Sequence, residues 1–284
     1  MIRAFFALFV MAVVSIIGIP LQWISVKLHL PSRRWIPWLF HSLCRRMFGV
    51  RVHVRGAPAR QRPLLFVSNH SSWLDIIVLS SIIPVVFIAK SEIARWPLFG
   101  LFAKLQRTVF VDRSRRRDTG KVNNIIAARL AEGDPVVLFG EGTASDGNLV
   151  LPFRSALLGA LKETLSEQGR GYVQPVSVAY TRLQGIPMGR QHRPVAACYG
   201  DVNLVKHLKR VLREGAIDVT VTFGSPLEVE PATDRKQLAR LTEDAVRRMT
   251  VAALAGREAT RPAAAVMADS MGAPATVSLP AESR

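Results

Sequence analysis

The chain has 284 residues, 49% of them hydrophobic, enough for one large core or for a core plus a membrane anchor. Its 38 Lys plus Arg against 21 Asp plus Glu give a formal charge of +17, an excess that calls for nucleic acid, a membrane surface or an acidic carrier as partner. Two cysteines, Cys44 and Cys198, cannot build a disulfide framework; they fit a reducing compartment, and their separation matches no metal-binding spacing.

The stretch from Ala4 to Leu21 is almost wholly apolar. Roughly 18 such residues reach the lower limit for spanning a bilayer core. A signal peptide would end in a small-x-small cleavage site, whereas here apolar character continues through Trp23, Ile24 and Val26. The expectation is an uncleaved membrane segment. Only Arg3 precedes it, while Lys27, Arg33, Arg34, Arg45 and Arg46 come after it, so the positive-inside rule puts the rest of the chain in the cytoplasm. Trp35 to Val50 mixes tryptophan and arginine with a broad apolar surface, as an interfacial helix does; a buried core helix is the alternative.

After Gly49 the pattern becomes α/β. Short β-branched runs predict strands at Val50–Val54, Leu64–Val67, Val85–Ala89, Val109–Val111, Val136–Phe139, Val173–Tyr180, Val195–Cys198 and Ile217–Phe223. Helices are expected at Trp73–Ile82, Asp118–Ala131, Ser155–Ser166, Val202–Arg213 and Asp234–Ala255. This alternation predicts an α/β domain over 51–256 with a mixed, largely parallel sheet flanked by helices, behind a membrane segment and interfacial helix in 1–50. Residues 257–284 shift to Ala, Pro and Ser and are expected to be disordered.

Four segments carry candidate chemistry. Asn69-His70-Ser71-Ser72-Trp73-Leu74-Asp75 comes directly after an apolar strand and opens a helix, which places His70 at the end of the sheet, where open α/β sheets bind ligands. A carboxylate on one imidazole nitrogen fixes the tautomer and stabilises the imidazolium formed when the other nitrogen takes a proton. Residues five apart on a regular helix diverge by roughly 140°, so His70 must sit in the turn before the helix and fold back to Asp75. Asn69 or Ser71 is the expected cap. Alone, a His and an Asp at this spacing are a weak signal, and a cap with a packed histidine is the favoured reading of the pair by itself.

Second, Val109-Phe110-Val111-Asp112-Arg113 ends a strand in a guanidinium, whose fork suits phosphate; at least one of Arg115 to Arg117 reads as part of a solvated charged turn. Third, Phe139-Gly140-Glu141-Gly142-Thr143 is a strand running into a glycine-bracketed polar turn, where Glu141 could position an acceptor or merely end a β-turn. No P-loop lysine and no G-x-G-x-x-G pattern is present. Fourth, Pro175 inside Val173–Tyr180 marks an edge strand or a bulge.

Together, and in this order, Asn-His-x-Ser-x-x-Asp, Val-Asp-Arg, Phe-x-Glu-Gly-Thr and Val-x-Pro-Val resemble the glycerolipid acyltransferases typified by 1-acyl-glycerol-3-phosphate acyltransferase, over roughly Trp35 to Arg248. The resemblance implies His70 as the base that deprotonates the acceptor hydroxyl and Asp75 as its orienting partner. It also implies acceptor binding by Arg113, Glu141, Gly142 and Thr143, and a role for Pro175 on the acyl-donor side. It implies no metal and no bound cofactor, with acyl carrier protein or acyl-CoA as co-substrate. Its further implications are a lysolipid acceptor, membrane lipids as partners and a place on the cytoplasmic face of a bacterial inner membrane.

Two positions depart from the family pattern. Gly140 stands where proline is usual, and the expected consequence is a more flexible turn. Ala144 stands where the phosphatidic-acid-forming members usually carry arginine, which weakens the case for a phosphomonoester acceptor. The stretches VFIAKSEI, WPLFG, LQRTVFVDR, EGTASDGN, VQPVSVAYT and GAIDVTVTFG look like the bacterial lyso-ornithine lipid acyltransferases, whose acceptor has no phosphate. Nucleic-acid binding is disfavoured by the apolar N-terminus and by basic clusters without interleaved aromatics. A serine hydrolase would need a G-x-S-x-G elbow, which is absent.

Overall fold

The computed structural model describes residues 2–111, 119–155, 158, 169–200, 202–230 and 232–257. The apolar N-terminus forms helix α1 (Ile2–Lys27), which packs against α2 (Ser32–Met47). Ala4–Lys27 is long and apolar enough to cross a membrane. Its two sides differ. Ala7, Gln22 and Ser25 are buried against the rest of the chain, whereas Phe5, Phe6, Phe9, Ile16, Ile17 and Leu21 face outward.

Behind this hairpin lies a sheet of nine strands among the described residues. Its main path places β1 (Val50–Arg55), β8 (Ile217–Phe223), β6 (Gly171–Leu183), β2 (Leu64–Ser68), β5 (Val136–Phe139), β3 (Val86–Lys90) and β4 (Val109–Val111) side by side. Five neighbouring pairs on this path are parallel and only β6/β8 is antiparallel. The short strands β7 (Ile186–Pro187) and β9 (Leu227–Val229) pair antiparallel with β6.

The central strands are continuous apolar runs because both faces are covered. Successive side chains alternate between them: Leu64 and Phe66 enter one core, Leu65 and Val67 the other. The first core includes α1, α2, α3 (Leu74–Ile82) and α6 (Leu204–Glu214); the second includes α5 (Thr119–Ala131) and α7 (Arg235–Leu254). Helix α4 (Phe99–Leu105) joins the first side, its Phe102 ring 5.1 Å from Phe40 of α2.

Polar contacts fix the α1–α2 hairpin to the opposite end of the sheet from His70. Arg33 bonds Glu132 at 2.8 Å, Arg34 bonds Asp134 at 2.6 Å, and buried Arg107 bonds both carboxylates. Gln22 reaches the carbonyls of Arg33 and Leu105. A small recess there is lined by Arg33, Arg34, Trp38, Ser80, Gln106 and Arg107 among others, and it belongs to this joint.

Three expectations are corrected. Val195–Cys198 is not a strand; a 3-10 turn at Arg193–Val195 contains Pro194, which has no N–H to give a ladder, and irregular chain comes after it. Pro175 lies in neither an edge strand nor a bulge. It sits in the central strand β6, opposite Val67, between the segments that pair with β9 and β8. Its carbonyl accepts from Gly224 N on that side, so its ring nitrogen faces the gap between the two partner strands, where no N–H is needed. Gly140 is not a flexible point either: a Cβ there would lie 2.6 Å from the Phe153 ring. The helix expected at Ser155–Ser166 and the tail at 257–284 fall largely outside the described residues.

Candidate active site

Strands β2 and β5 run parallel and end together, Ser68 opposite Phe139, while β6 runs parallel beside β2 and continues past it to Leu183; polar turns extend from the ends of β2 and β5. Ser68 is the last residue of β2, and the next five residues make an irregular turn before α3 begins at Leu74. Neither Asn69 nor Ser71 caps α3. The Asn69 amide instead pairs with both the N–H and the carbonyl of Val178 in β6, each at 2.8 Å. This two-point bond locks the start of the turn to the neighbouring strand. The turn is closed from the other side by Asp75, in the first turn of α3, whose Oδ2 accepts from Ser71 N at 2.8 Å and Ser72 N at 3.0 Å.

The same Oδ2 lies 2.9 Å from His70 Nδ1. Asp75 is fully buried, while the His70 side chain keeps 22% of its surface exposed. The backbone N–H groups can only donate, so Asp75 is an acceptor and Nδ1 carries the hydrogen. Nε2 is left with its lone pair, the state a general base needs. The His70 ring stacks on Phe139, centroids 4.0 Å apart, which sets its plane.

Tyr180 completes the constellation and was not anticipated from the sequence. Its Oη donates to Asp75 Oδ1 at 2.7 Å. Burial, and then the Asp75 charge, push the phenol well above its ordinary range, so it stays a donor. No sequence signal marks it, because only the pairing of β6 with β2 brings it to Asp75.

Glu141 lies just beyond β5 and is buried beside the turn. Its Oε1 accepts from His70 N at 3.3 Å; Oε2 is buried without a hydrogen-bond partner among the described residues. Burial raises its pKa from the ordinary 4.5 to about 8, the hydrogen bond from His70 opposing and the Asp75 charge adding. Gly142 is buried with φ 70°, a conformation that favours glycine, and Thr143 is exposed. Ser145 N and Oγ both bond the His70 carbonyl, at 2.9 and 3.2 Å. Arg113 lies outside the described residues.

The stretch after the Arg193–Val195 turn also meets the site. Cys198 N donates to Ser71 O at 2.7 Å. Arg193 donates to Asn148 Oδ1 at 3.0 Å, and its Nε is buried without a partner among the described residues. A Cβ at Gly147 would lie 3.8 Å from Ser71 and 3.9 Å from Arg193, so both flank the same loop. Among the described residues no group of three or more His, Cys, Asp or Glu could hold a metal ion.

The family model described as Acyltransferase matches residues 50–179. Over 259 residues the chain is 51% identical to a lyso-ornithine lipid O-acyltransferase of Brucella abortus (strain 2308), covering 90% of this chain and 97% of the relative. It is 32% identical over 194 residues to a 1-acyl-sn-glycerol-3-phosphate acyltransferase of Neisseria gonorrhoeae, covering 68% of this chain and 72% of the relative. The crystal structure of a 1-acyl-sn-glycerophosphate acyltransferase from Thermotoga maritima superposes with a TM-score of 0.58 at 20% identity, over 88% of this chain and 94% of that one, and so shares its fold.

Proposed function

The chain belongs to the acyltransferase family, and from that premise we propose that it moves a fatty acyl group from a thioester onto the free hydroxyl of a lysolipid, with lyso-ornithine lipid preferred to lysophosphatidic acid. The observation that carries the chemistry is the buried Asp75 holding a partly exposed His70 by Nδ1.

Nε2 takes the hydroxyl proton as the acceptor oxygen bonds to the thioester carbonyl carbon. The tetrahedral intermediate then collapses, the carbon–sulfur bond breaks, and the departing thiolate recovers the proton from His70. Ester and thiol are the products, and the imidazole is returned neutral. Asp75 stabilises the imidazolium between the two steps. Glu141, protonated at neutral pH, offers an O–H donor beside His70 for positioning the acceptor. Gly142 lets the backbone approach, and Thr143 and Arg113 border the acceptor in this reading.

The acceptor assignment draws on the relative with 51% identity and on Ala144, which brings no guanidinium for a phosphomonoester. Arg193, beside the same loop, supplies one cation of the kind a carboxylate-bearing headgroup would meet. The donor is proposed to be acyl carrier protein or acyl-CoA, both acidic and matched to a chain of +17. The chain associates with membranes through α1, and we assign it to the cytoplasmic face of a bacterial inner membrane from the Lys and Arg that come after that helix.

An acceptor panel tests this reading: lyso-ornithine lipid and lysophosphatidic acid, each with both donors. kcat/KM is expected to be higher on lyso-ornithine lipid, and Ala144→Arg is expected to move the ratio toward lysophosphatidic acid, since a bidentate phosphate contact helps only that acceptor. A wild type that already prefers lysophosphatidic acid would overturn the acceptor but leave the acyl transfer standing.

A further inference from the structure

Strand β3 ends at Lys90, at the same end of the sheet as His70 and Glu141, because β2, β3 and β5 are parallel. From Lys90 the chain enters a 3-10 turn at Ser91–Arg95, passes through Trp96-Pro97-Leu98 and begins α4. Trp96, Leu98 and Leu101 are 47%, 56% and 42% exposed. Three large apolar side chains thus reach solvent within six residues.

Their exposure is built in by the backbone. Leu98 holds φ 62°, a conformation that side-chain-bearing residues adopt only when their surroundings impose it. Gly100 N bonds Trp96 O at 2.9 Å, and Phe102 N bonds Leu98 O at 2.9 Å. A Cβ on Gly100 would lie 2.6 Å from Ala94 O, so α4 starts in close contact with the preceding turn. The inner side of α4 is tied to the membrane hairpin, through Phe102 against Phe40 and through Gln22 to the Leu105 carbonyl. Exposed Arg95 and Lys104 flank the apolar side chains.

We propose that the Trp96–Leu101 turn is a second lipid-contacting element, which enters the headgroup–acyl boundary of an anionic bilayer beside α1 and holds the catalytic end of the sheet at its surface. Aromatic and aliphatic side chains between two cations suit that boundary, where apolar parts insert and cations meet anionic headgroups. The attachment of α4 to α1 and α2 puts this turn and the hairpin on the same side of the sheet. A lysolipid could then reach His70 without leaving the membrane. The inference rests on the lysolipid reading for its purpose, but the contact itself is measurable without catalysis.

The test uses the full chain in vesicles of phosphatidylcholine and phosphatidylglycerol, with Cys198→Ser to remove the accessible native thiol. An environment-sensitive dye is placed at Leu98→Cys, and a control dye at Val251→Cys, an exposed apolar position of α7 on the other side of the sheet. The dye at 98 is expected to shift to the blue and to be quenched by spin-labelled lipid; the dye at 251 is not. A dye at 98 that stays in water while the protein is vesicle-bound overturns the proposal, as does quenching that tracks protein density rather than lipid label. In the Trp96→Ser, Leu98→Ser double variant, KM for vesicle-borne acceptor should rise by roughly threefold or more, with kcat and the rate on a short-chain soluble acceptor unchanged. Equal KM in the two proteins would count against it, whichever acceptor the enzyme prefers.

Discussion

Tyr180 and Asp75 stand 105 residues apart in the chain, yet the phenol donates a 2.7 Å hydrogen bond to Asp75 Oδ1 while His70 occupies Oδ2. The carboxylate is therefore gripped on both oxygens. Tyr180→Phe should lower kcat by roughly tenfold to 150-fold with KM nearly unchanged, as loss of a hydrogen bond to a charged group costs about 1.5–3 kcal/mol. A pH–rate profile should move in the variant, because Asp75 tunes His70. Steady-state kinetics across pH check this, and an unchanged profile would make Tyr180 structural only.

Asp75→Asn is expected to be milder than Asp75→Ala. Ser71 N, Ser72 N and His70 all present donors to Oδ2, so the amide oxygen should take that position and the NH2 should face Tyr180 Oη, which can accept. The imidazole tautomer survives and only the charge is lost, for about a hundredfold fall in kcat. Asp75→Ala strands two buried N–H groups and should also destabilise by about 2–4 kcal/mol. Kinetics and thermal melts of the two variants separate these effects.

Glu141 predicts a pH signature. Its pKa is about 8 when folded and 4.5 ordinarily, so the folded state holds a proton that the unfolded chain releases. The associated stability is fully present below 4.5 and is lost as pH rises toward 8. It amounts to about 3–5 kcal/mol across that window. Glu141→Gln removes the ionisation, so its Tm should fall less than that of the wild type between about pH 5 and pH 8. Parallel melting curves would refute the assignment of a neutral Glu141.

Gly140 predicts a packing defect. A methyl group there would meet three atoms of the Phe153 ring within 2.9 Å. Gly140→Ala should cost about 1–3 kcal/mol, and Phe153→Leu should restore part of it by making room. Gly140→Pro should be worse, since Gly140 N donates to Ser68 O at 2.9 Å. Denaturant unfolding of the single and double variants measures the coupling.

Much of this architecture was legible because the positions of strands and helices are tied to local pattern. The apolar runs at Leu64–Val67 and Val136–Phe139 read as buried strands, and, once His70 and Asp75 are taken as a pair, their spacing requires His70 to sit in the turn before the helix. What local pattern does not carry is pairing. Tyr180 reaches Asp75 only because β6 lies beside β2. Pro175 read as an edge residue because its tolerance depends on a gap between β8 and β9 that no neighbouring residue announces. Val195–Cys198 read as a strand on residue type, yet Pro194 and the bond from Cys198 N to Ser71 O commit it to the turn around the site. Asn69 read as a cap because its use by Val178 is a long-range event.

The most direct measurement is the rate of ester formation by wild type and His70→Ala, in vesicles, with lyso-ornithine lipid and an acyl thioester. The His70 side chain is partly exposed and its removal leaves Asp75 bonded to Ser71, Ser72 and Tyr180, so the variant should melt within a few degrees of wild type. Its rate should fall by about a hundredfold or more, the loss expected of a general base. A folded His70→Ala protein that forms the ester at the wild-type rate would contradict the account.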